Sequence, residues 1–403
     1  MKLKTLNKIK NTGMAALAAA FVFSSCNKEL PSAVPIVTTL PSGNTIGDLF
    51  NTDTTYSIFK AAIVKAGMLP LLSDRSLVFT VYAPNNAAFR FSGIASEAVI
   101  AALPTAQVTS IVQYHVVGGQ SLTTSLIPTS FPNVQEASSL VLSAPFLRMS
   151  IFPSRRGTSN WVNNIPVSSP DIALANGTVH QMAALVSPPS TVLAGILYTD
   201  PNLTYFSAAI ARADSGATGL NKIDSLLRYP PLSMTVLAPT NAAFMAVLDT
   251  NIRRALIAQG LPSATAAAQA TALAASPTVF SNPALYGTLT AATVKGIVVY
   301  HILASKNTNP AAFQPDVRAF SPNFPTTPGF VTTLVNSALA IHPGIMAQAS
   351  FTGPFATGLK FTGLGTLPTG GAPFSGPAAN AIALDRHAIN GVTHTIDRVL
   401  LPQ

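Results

Sequence analysis

Hydrophobic residues recur along the chain with two spacings, and each spacing occurs twice. Apolar residues three and four positions apart predict an amphipathic helix at 56–63 and another at 205–210. The run Leu77 to Val81, rich in β-branched residues and ended by Pro84, predicts a strand, and Met234 to Pro239 has the same character. The pattern therefore predicts a mixture of helices and strands in two similar halves.

A three-part motif occurs once in each half. The first copy consists of Phe79-Thr-Val-Tyr-Ala-Pro-Asn-Asn-Ala-Ala-Phe89, Ile111-Val-Gln-Tyr-His115 and Asn176-Gly-Thr-Val-His180. The second copy consists of Met234-Thr-Val-Leu-Ala-Pro-Thr-Asn-Ala-Ala-Phe244, Ile297-Val-Val-Tyr-His301 and Asn390-Gly-Val-Thr-His394. Because three separated segments match in the same order, the sequence indicates a duplicated domain.

The first and third segments of the motif have structural interpretations. In the first segment, Asn85 or Asn86 can cap the helix after the strand, and Thr240 or Asn241 can do so in the second copy. In the third segment, Asn-Gly predicts a hairpin with a type I′ turn, in which both central residues have positive φ. The strands that follow these turns are predicted to close each sheet.

The second segment places a Tyr-His pair at the end of a helix. Apolar residues at 108, 111 and 112, and at 294, 297 and 298, predict helices that end at the two pairs. A histidine there could be a ligand or a base, or it could be hydrogen-bonded within the core beside its tyrosine. We favour the core interpretation, because polar groups persist in cores when their hydrogen bonds are satisfied.

Unequal spacing between the segments locates two insertions. We predict domain one at residues 44–189 and domain two at residues 190–403. Domain two carries insertions near 252–289 and 342–380. The former is Ala-rich and is predicted to be partly helical, whereas the latter contains Gly-Gly and Gly-Pro and is predicted to be a long loop.

A leader precedes the first domain. Its basic start is followed by the apolar stretch Met14–Phe23, which is too short to span a bilayer and is typical of a signal peptide at 1–25. Phe23-Ser-Ser-Cys26 resembles a bacterial lipobox, so we predict lipidation of Cys26, the only cysteine. The alternative is an ordinary signal peptide with an incidental cysteine. Residues 26–43, rich in proline, serine and threonine, are predicted to form a tether.

Composition narrows the class of protein. Charged residues make up 9% of the chain, against about 25% in ordinary soluble proteins, and apolar residues make up 48%. The surface must therefore be weakly charged, which suits a wall, matrix or membrane neighbourhood. The formal net charge of +9 comes partly from lysines in the leader, and the other basic residues are scattered. Nucleic-acid binding is therefore disfavoured.

The three segments are similar, in that order, to the hallmark segments of the fasciclin (FAS1) domain. The resemblance covers about residues 44–189 and 190–402. It implies an α+β fold with two tandem fasciclin-like domains, each a small β-sandwich or wedge with packed helices. Asp171-Ile172 also resembles the Asp-Ile element of the family, whereas the second copy has Asp385-Arg386.

The resemblance also implies roles for particular residues. In the family, the Tyr-His region and the Asp-Ile element are linked to receptor contacts, which makes binding candidates of Tyr114, His115, Asp171, Ile172, Tyr300 and His301. The expected structural members of the motif are Asn86, His180, Asn241 and His394.

The leader and the resemblance together imply a lipid-anchored adhesion or binding protein of the bacterial cell envelope. We expect it at the outer membrane, on the periplasmic or the surface face. Its expected partners are the membrane, through the N-terminal lipid, and an extracellular or envelope protein or glycan.

An alternative function is that of an accessory surface lipoprotein in the uptake of glycans or peptides across the outer membrane. Aromatic residues of the second insertion motivate this alternative, because aromatic side chains on loops can form a binding platform. They can equally anchor the insertion to the core. The residues are Phe351, Phe355, Phe361 and Phe374.

No enzyme is expected. The chain has six histidines but contains no Gly-x-Ser-x-Gly elbow, no His-Glu-x-x-His and no Gly-rich phosphate loop. Neither a metal site nor a cofactor is therefore predicted.

Overall fold

The structure is a computed structural model that describes residues 40–129, 135–143, 147–306, 313–365 and 376–402. The predicted signal peptide, Cys26 and most of the predicted tether lie outside these residues. Ser42–Gln403 is one compact unit. Among the described residues, no helix is both long and apolar enough to cross a membrane.

The first half of this unit combines short helices with a sheet. Its helices are α1 (Ile46–Thr52), α2 (Ser57–Lys65), α3 (Leu69–Ser73), α4 (Asn86–Phe91), α5 (Glu97–Ala102) and α6 (Thr105–Tyr114). Its strands are β1 (Phe79–Pro84), β2 (Val116–Gly118), β3 (Glu136–Ser143), β4 (Leu147–Ile151), β5 (Pro153–Arg156), β6 (Ser159–Val162), β7 (Ile165–Leu174) and β8 (Gly177–Met182).

The second half repeats this order, with two helices that are clearly longer and several strands that are shorter. Its helices are α7 (Leu193–Thr199), α8 (Thr204–Ala213), α9 (Ile223–Arg228), α10 (Asn241–Ala258), α11 (Ser263–Ala274) and α12 (Ala291–Tyr300). Its strands are β9 (Met234–Pro239), β10 (Ser305–Lys306), β11 (Phe313–Gln314), β12 (Gly329–Val331), β13 (Ile345–Thr352), β14 (Phe355–Thr362), β15 (Ala379–Ala388) and β16 (Gly391–Ile396).

Each half contains one six-stranded sheet, and five neighbouring strands follow the same order in both sheets. The strand order is β2-β1-β8-β7-β6-β5 in the first half and β9-β16-β15-β14-β13-β12 in the second. The pairs β1–β8 and β9–β16 are parallel, and the other described pairs are antiparallel. Where β2 pairs with β1, the second half has a single bridge between Val236 and Ile302. The fold is therefore α+β, and its repeated topology confirms the predicted duplication.

The central strands bury both faces of each sheet. Side chains alternate across a strand, so neighbouring residues enter different apolar layers. Those facing the helices are Phe79, Val81, Ala83, Met234, Val236 and Ala238, and those facing the opposite layer are Tyr82 and Leu237. Each half therefore has two apolar layers, one on each side of its sheet.

Helix caps follow the predicted chemistry. Asn85 Oδ1 accepts a hydrogen bond from Ala88 N at 2.8 Å, and Thr240 Oγ1 accepts one from Ala243 N at 3.2 Å. Of the two residues that could cap each helix, the first one does so in both halves. The second residue, Asn86 or Asn241, is thereby free for a different contact.

The predicted hairpins form, but their turns differ from the prediction. Leu174 pairs with Gly177, so the two loop residues are Ala175 and Asn176 rather than Asn176 and Gly177. Asn176 is not among the residues with positive φ. The type I′ prediction was therefore wrong, because the asparagine side chain is engaged in contacts with distant backbone and the glycine already belongs to the strand.

The glycine after each asparagine is required by the adjacent parallel strand. A Cβ on Gly177 would lie 1.8 Å from the carbonyl oxygen of Phe79, and one on Gly391 would lie 2.6 Å from that of Met234. Backbone atoms cannot move aside as a flexible side chain does. Gly177 also has a φ of 144°, which side-chain-bearing residues rarely adopt.

We expect Gly177→Ala and Gly391→Ala each to lower the free energy of unfolding by about 3 kcal/mol, because the added methyl group overpacks the sheet. Chemical denaturation measures the change. Gly287→Ala is the matched control, since its Cβ would meet nothing within 4 Å. Equal stability of the Gly177 and Gly287 variants would contradict the steric requirement.

The two insertions have different structures. Helix α10 has 18 residues where α4 has 6, and α11 follows it, so the first insertion is largely helical. The second is not the predicted long loop. Strands β13 and β14 form a hairpin in the sheet positions of β5 and β6. The long-loop prediction was wrong because Gly353-Pro354 marks only the turn between two regular strands.

Candidate functional site

The tyrosines of the two Tyr-His pairs end helices α6 and α12 and are fully buried. The Tyr114 hydroxyl donates to Ser150 O at 3.0 Å, and the Tyr300 hydroxyl donates to Gly344 O at 2.7 Å. Burial raises the pKa of each phenol to about 12. Both hydroxyls therefore stay protonated and bind the helix to distant backbone.

His115, the histidine of the first pair, also connects two segments of the chain. His115 Nε2 accepts a hydrogen bond from Val186 N at 3.1 Å, so the proton is on Nδ1, which donates to Ile111 O at 2.8 Å. The side chain has no exposed surface. Burial lowers its pKa to about 4, so the ring is neutral at physiological pH.

The second histidine has the same geometry. His301 Nδ1 donates to Ile297 O at 2.8 Å, and Nε2 accepts from Leu400 N at 2.9 Å. Its pKa is likewise lowered to about 4 by burial. Each histidine thus connects its helix to the chain segment that follows β8 or β16, as the core interpretation predicts.

The Asp-Ile element of the first half lies at an exposed β-bulge within strand β7. Asp171 has a φ of 60°, and its N–H donates to His180 Nδ1 at 3.2 Å. Its carboxylate accepts from Thr124 N at 2.8 Å and from the Thr124 hydroxyl. His180 Nε2 donates to Leu122 O at 2.8 Å. Ile172 is half-buried against the helix-side core, and this packing holds the bulge in place.

The equivalent β-bulge of the second half, in strand β15, buries its carboxylate. Asp385 N donates to His394 Nδ1 at 3.2 Å, and His394 Nε2 donates to Ala319 O at 2.9 Å. The carboxylate accepts from Ser321 N at 2.6 Å. The side chain of Asp385 is 6% exposed, against 36% for Asp171. The accessible carboxylate is therefore the one in the first half.

Exposure separates the six binding candidates. In this conformation a ligand can contact Asp171, but it cannot contact the buried Tyr-His pairs. Within the described part of the chain, no hydrogen bond joins the Asp-Ile element to Tyr114 or His115. The receptor role of all six residues stays a prediction. They lie in three separate places, at the ends of α6 and α12 and within β7, rather than in one site.

The asparagines Asn86 and Asn241 have contacts consistent with their expected structural role. Asn86 Oδ1 accepts from Ile58 N at 3.0 Å, near the start of α2. Asn241 Oδ1 accepts from Tyr205 N at 3.1 Å, near the start of α8. Each side chain thus satisfies a helix N–H that has no partner within its own helix.

A buried arginine that no sequence pattern indicates joins the two halves. Arg318 is 3% exposed, and its guanidinium lies 4.6 Å from the ring centroid of Phe152. It donates to Ile389 O at 2.9 Å and to His387 Nε2 at 3.3 Å. Burial lowers the pKa of Arg318 to about 10. Among the ion pairs of the described residues, none includes this arginine.

The β13–β14 hairpin makes a second contact between the halves. Trp161 Nε1 donates to Pro354 O at 2.7 Å, and the Trp161 ring lies 6.0 Å from that of Phe351. The Arg156 guanidinium lies 5.1 Å from the same Phe351 ring and donates to Pro322 O at 2.7 Å. The hairpin therefore packs against the first half.

These contacts decide between the two interpretations of the aromatic residues. Phe361 is fully buried and Phe351 lies at the junction, so both anchor the hairpin. Phe355 is 44% exposed, and Phe374 lies outside the described residues. The prediction of an aromatic platform built from all four side chains is therefore wrong. Successive side chains of a strand point to opposite faces, and this places Phe361 in the core.

The described residues contain no group of three or more His, Cys, Asp or Glu side chains that could hold a metal ion. The histidines instead have backbone or arginine partners. Their arrangement is that of a scaffold in which the rings connect separate segments.

The described residues thus form a duplicated α+β fold in which both Tyr-His pairs are buried. Residues 54–188 match the Fasciclin domain family. The first half of the chain therefore contains a fasciclin domain. It is also similar to a FAS1 domain pair from the insect cell adhesion molecule fasciclin I, at 14% identity and a TM-score of 0.34. The likeness covers 86% of this chain and 96% of that one.

Proposed function

We propose that the protein is a lipid-anchored binding protein of the bacterial cell envelope that acts in adhesion. The fasciclin domain at residues 54–188 supports adhesion-type binding, because this domain family is associated with cell adhesion. The leader that ends at Cys26 supports a lipid anchor. More than one acyl chain gives stable rather than reversible attachment to a membrane.

The exposed carboxylate of Asp171 is the observation that carries the binding proposal. Its position is fixed by Thr124 and His180, and its backbone is held at positive φ. A group that is already ordered loses little conformational entropy on binding. Since the Asp385 carboxylate is buried and accepts a hydrogen bond from Ser321, we assign the contact surface to the first half.

We expect Asp171→Ala to weaken binding at least tenfold, because it removes the accessible charge. The measurement is biolayer interferometry of the full-length protein on immobilised fibronectin, collagen and a cell-wall glycan preparation. Asp224→Ala is the matched control, since this carboxylate is similarly exposed but pairs with Arg228 on a helix. Equal binding of the two variants would remove Asp171 from the proposal, and binding to none of the surfaces would count against adhesion.

The anchor has its own test. Cys26→Ser should remove the lipid mass from the mature N-terminus and move the protein from the membrane to the soluble fraction. Mass spectrometry and fractionation measure the two effects. Protease accessibility on intact cells then distinguishes the surface face from the periplasmic face, and an unmodified Cys26 in the native protein would refute lipidation.

A further inference from the structure

A pocket of about 390 Å³ opens in the second half, between helices α10 and α12. Its inner wall consists of side chains that are almost fully buried: Phe244, Leu248, Phe280, Leu289 and Val294. The volume and the apolar wall are those of small-molecule sites, which typically occupy about 300–1,000 Å³.

The first insertion builds this pocket. Helix α10 continues well beyond the length of α4, and its later turns form one side of the opening. The side chains that α10 directs there are small, Ala255 and Ala258, so the helices do not close over the wall. The pocket therefore belongs to the part of the chain in which the two halves differ.

The polar side chains of the pocket include one cation and no anion. Arg254 and Asn251 come from α10, and Thr288 and Thr293 lie on the other side. Arg254 is exposed, and none of the ion pairs of the described residues includes it. The opening is therefore electropositive above an apolar interior.

Charged residues on the surrounding helices add to the positive potential. Lys295 lies on α12, and the guanidinium of Arg212 on α8 lies 3.7 Å from the ring centroid of Tyr286. The nearby acid on α10, Asp249, accepts a hydrogen bond from Thr271 on α11.

We propose that this pocket binds an amphiphile of the fatty-acid class, with its alkyl chain against the buried wall and its carboxylate at Arg254. A guanidinium pairs with a carboxylate through two parallel hydrogen bonds, which a hydroxyl or an ammonium head cannot reproduce. The alkyl chain contributes affinity for each methylene that leaves water.

A docked helix of a partner protein fits this pocket less well. One helical turn, about 5.4 Å long and 10–12 Å across with its side chains, occupies about 400–600 Å³. The pocket of 390 Å³ would hold no more than one such turn. A flexible alkyl chain can instead adapt its shape to the apolar wall.

The proposal is tested by isothermal titration calorimetry of the full-length protein with decanoate, decanol and decyltrimethylammonium, each below its critical micelle concentration. Every sample carries Cys26→Ser, so that no attached lipid competes. We expect decanoate to bind at one site and to bind about fourfold more tightly for each methylene added between octanoate and decanoate.

The variants separate recognition of the head group from nonspecific hydrophobic binding. Arg254→Ala should weaken decanoate binding at least tenfold and leave decanol binding unchanged. Arg253→Ala, at an exposed position that does not line the pocket, should change neither. Ala255→Trp should fill the pocket and abolish both, with thermal unfolding as the check on folding. Equal effects of the two arginine variants, equally tight binding of decyltrimethylammonium, or no binding of decanoate would each overturn the proposal.

Discussion

Acidification from pH 7 to pH 4 is expected to destabilise the protein, chiefly through His115 and His301. Both rings accept a backbone N–H at Nε2, from Val186 and Leu400 respectively. Protonation of Nε2 would break that hydrogen bond and place a charge in the core. Burial accordingly lowers both pKa values from 6.5 to about 4, although a helix carbonyl at Nδ1 partly opposes the shift.

The direction of the effect follows from proton linkage. Between pH 6.5 and pH 4 the unfolded chain binds a proton at each histidine and the folded chain does not, so the free energy of unfolding falls as the pH falls. The difference between the two pKa values corresponds to about 3 kcal/mol for each histidine. Stability is therefore fully present above pH 6.5 and lost progressively down to about pH 4.

Urea denaturation at pH 7.5, 5.5 and 4.5 measures this loss. His115→Asn should be less stable at pH 7.5, but its further loss on acidification should be smaller than that of the wild-type chain by about 3 kcal/mol. Burial lowers the pKa of His180, His387 and His394 as well, so part of the pH dependence should persist in the variant. A wild-type stability that is flat from pH 7.5 to 4.5 would refute the prediction.

Local features of this fold could be predicted from the sequence because short-range interactions determine them. Asn85 and Thr240 cap their helices, and the apolar spacing before Tyr114 marks a helix, since capping and amphipathicity involve residues within about one turn. The strand after Leu77 has the same local basis. The duplication was visible because three such signals recur in one order.

Features that depend on distant residues could not be predicted in this way. Arg318 is a single basic residue without neighbours of its type, and it becomes a junction residue only when the fold brings Phe152 beside it. The turn at Asn176 was misassigned for a related reason. Asn-Gly favours a type I′ turn locally, but contacts of the Asn176 side chain with segments about 100 positions away override that preference.

Replacing Asn176 by alanine is therefore expected to destabilise the protein by about 3–5 kcal/mol. Its Oδ1 accepts from Ile46 N at 2.8 Å, and its Nδ2 donates to Leu72 O at 2.9 Å and to Asp74 O at 3.1 Å. The side chain is buried, and each backbone group left without a partner costs about 1–3 kcal/mol. The side-chain amide of Asn176 thus connects the β7–β8 hairpin to the start of α1 and to the end of α3.

Asn390→Ala should have an effect of similar size in the second half, because its amide accepts from Leu193 N at 2.8 Å and donates to Leu227 O at 2.9 Å. Urea denaturation measures both changes, and Asn221→Ala, at an exposed position, should stay within about 0.5 kcal/mol of the wild type.

Asn176→Asp isolates the contribution of the donor side of the amide. A carboxylate can still accept from Ile46 N, but it would face the carbonyl oxygens of Leu72 and Asp74 and repel them. We therefore expect it to be at least as unstable as the alanine variant. If it were as stable as the wild type, the hydrogen bonds donated by Nδ2 would contribute nothing, and the hairpin would be held to the helices by apolar packing alone.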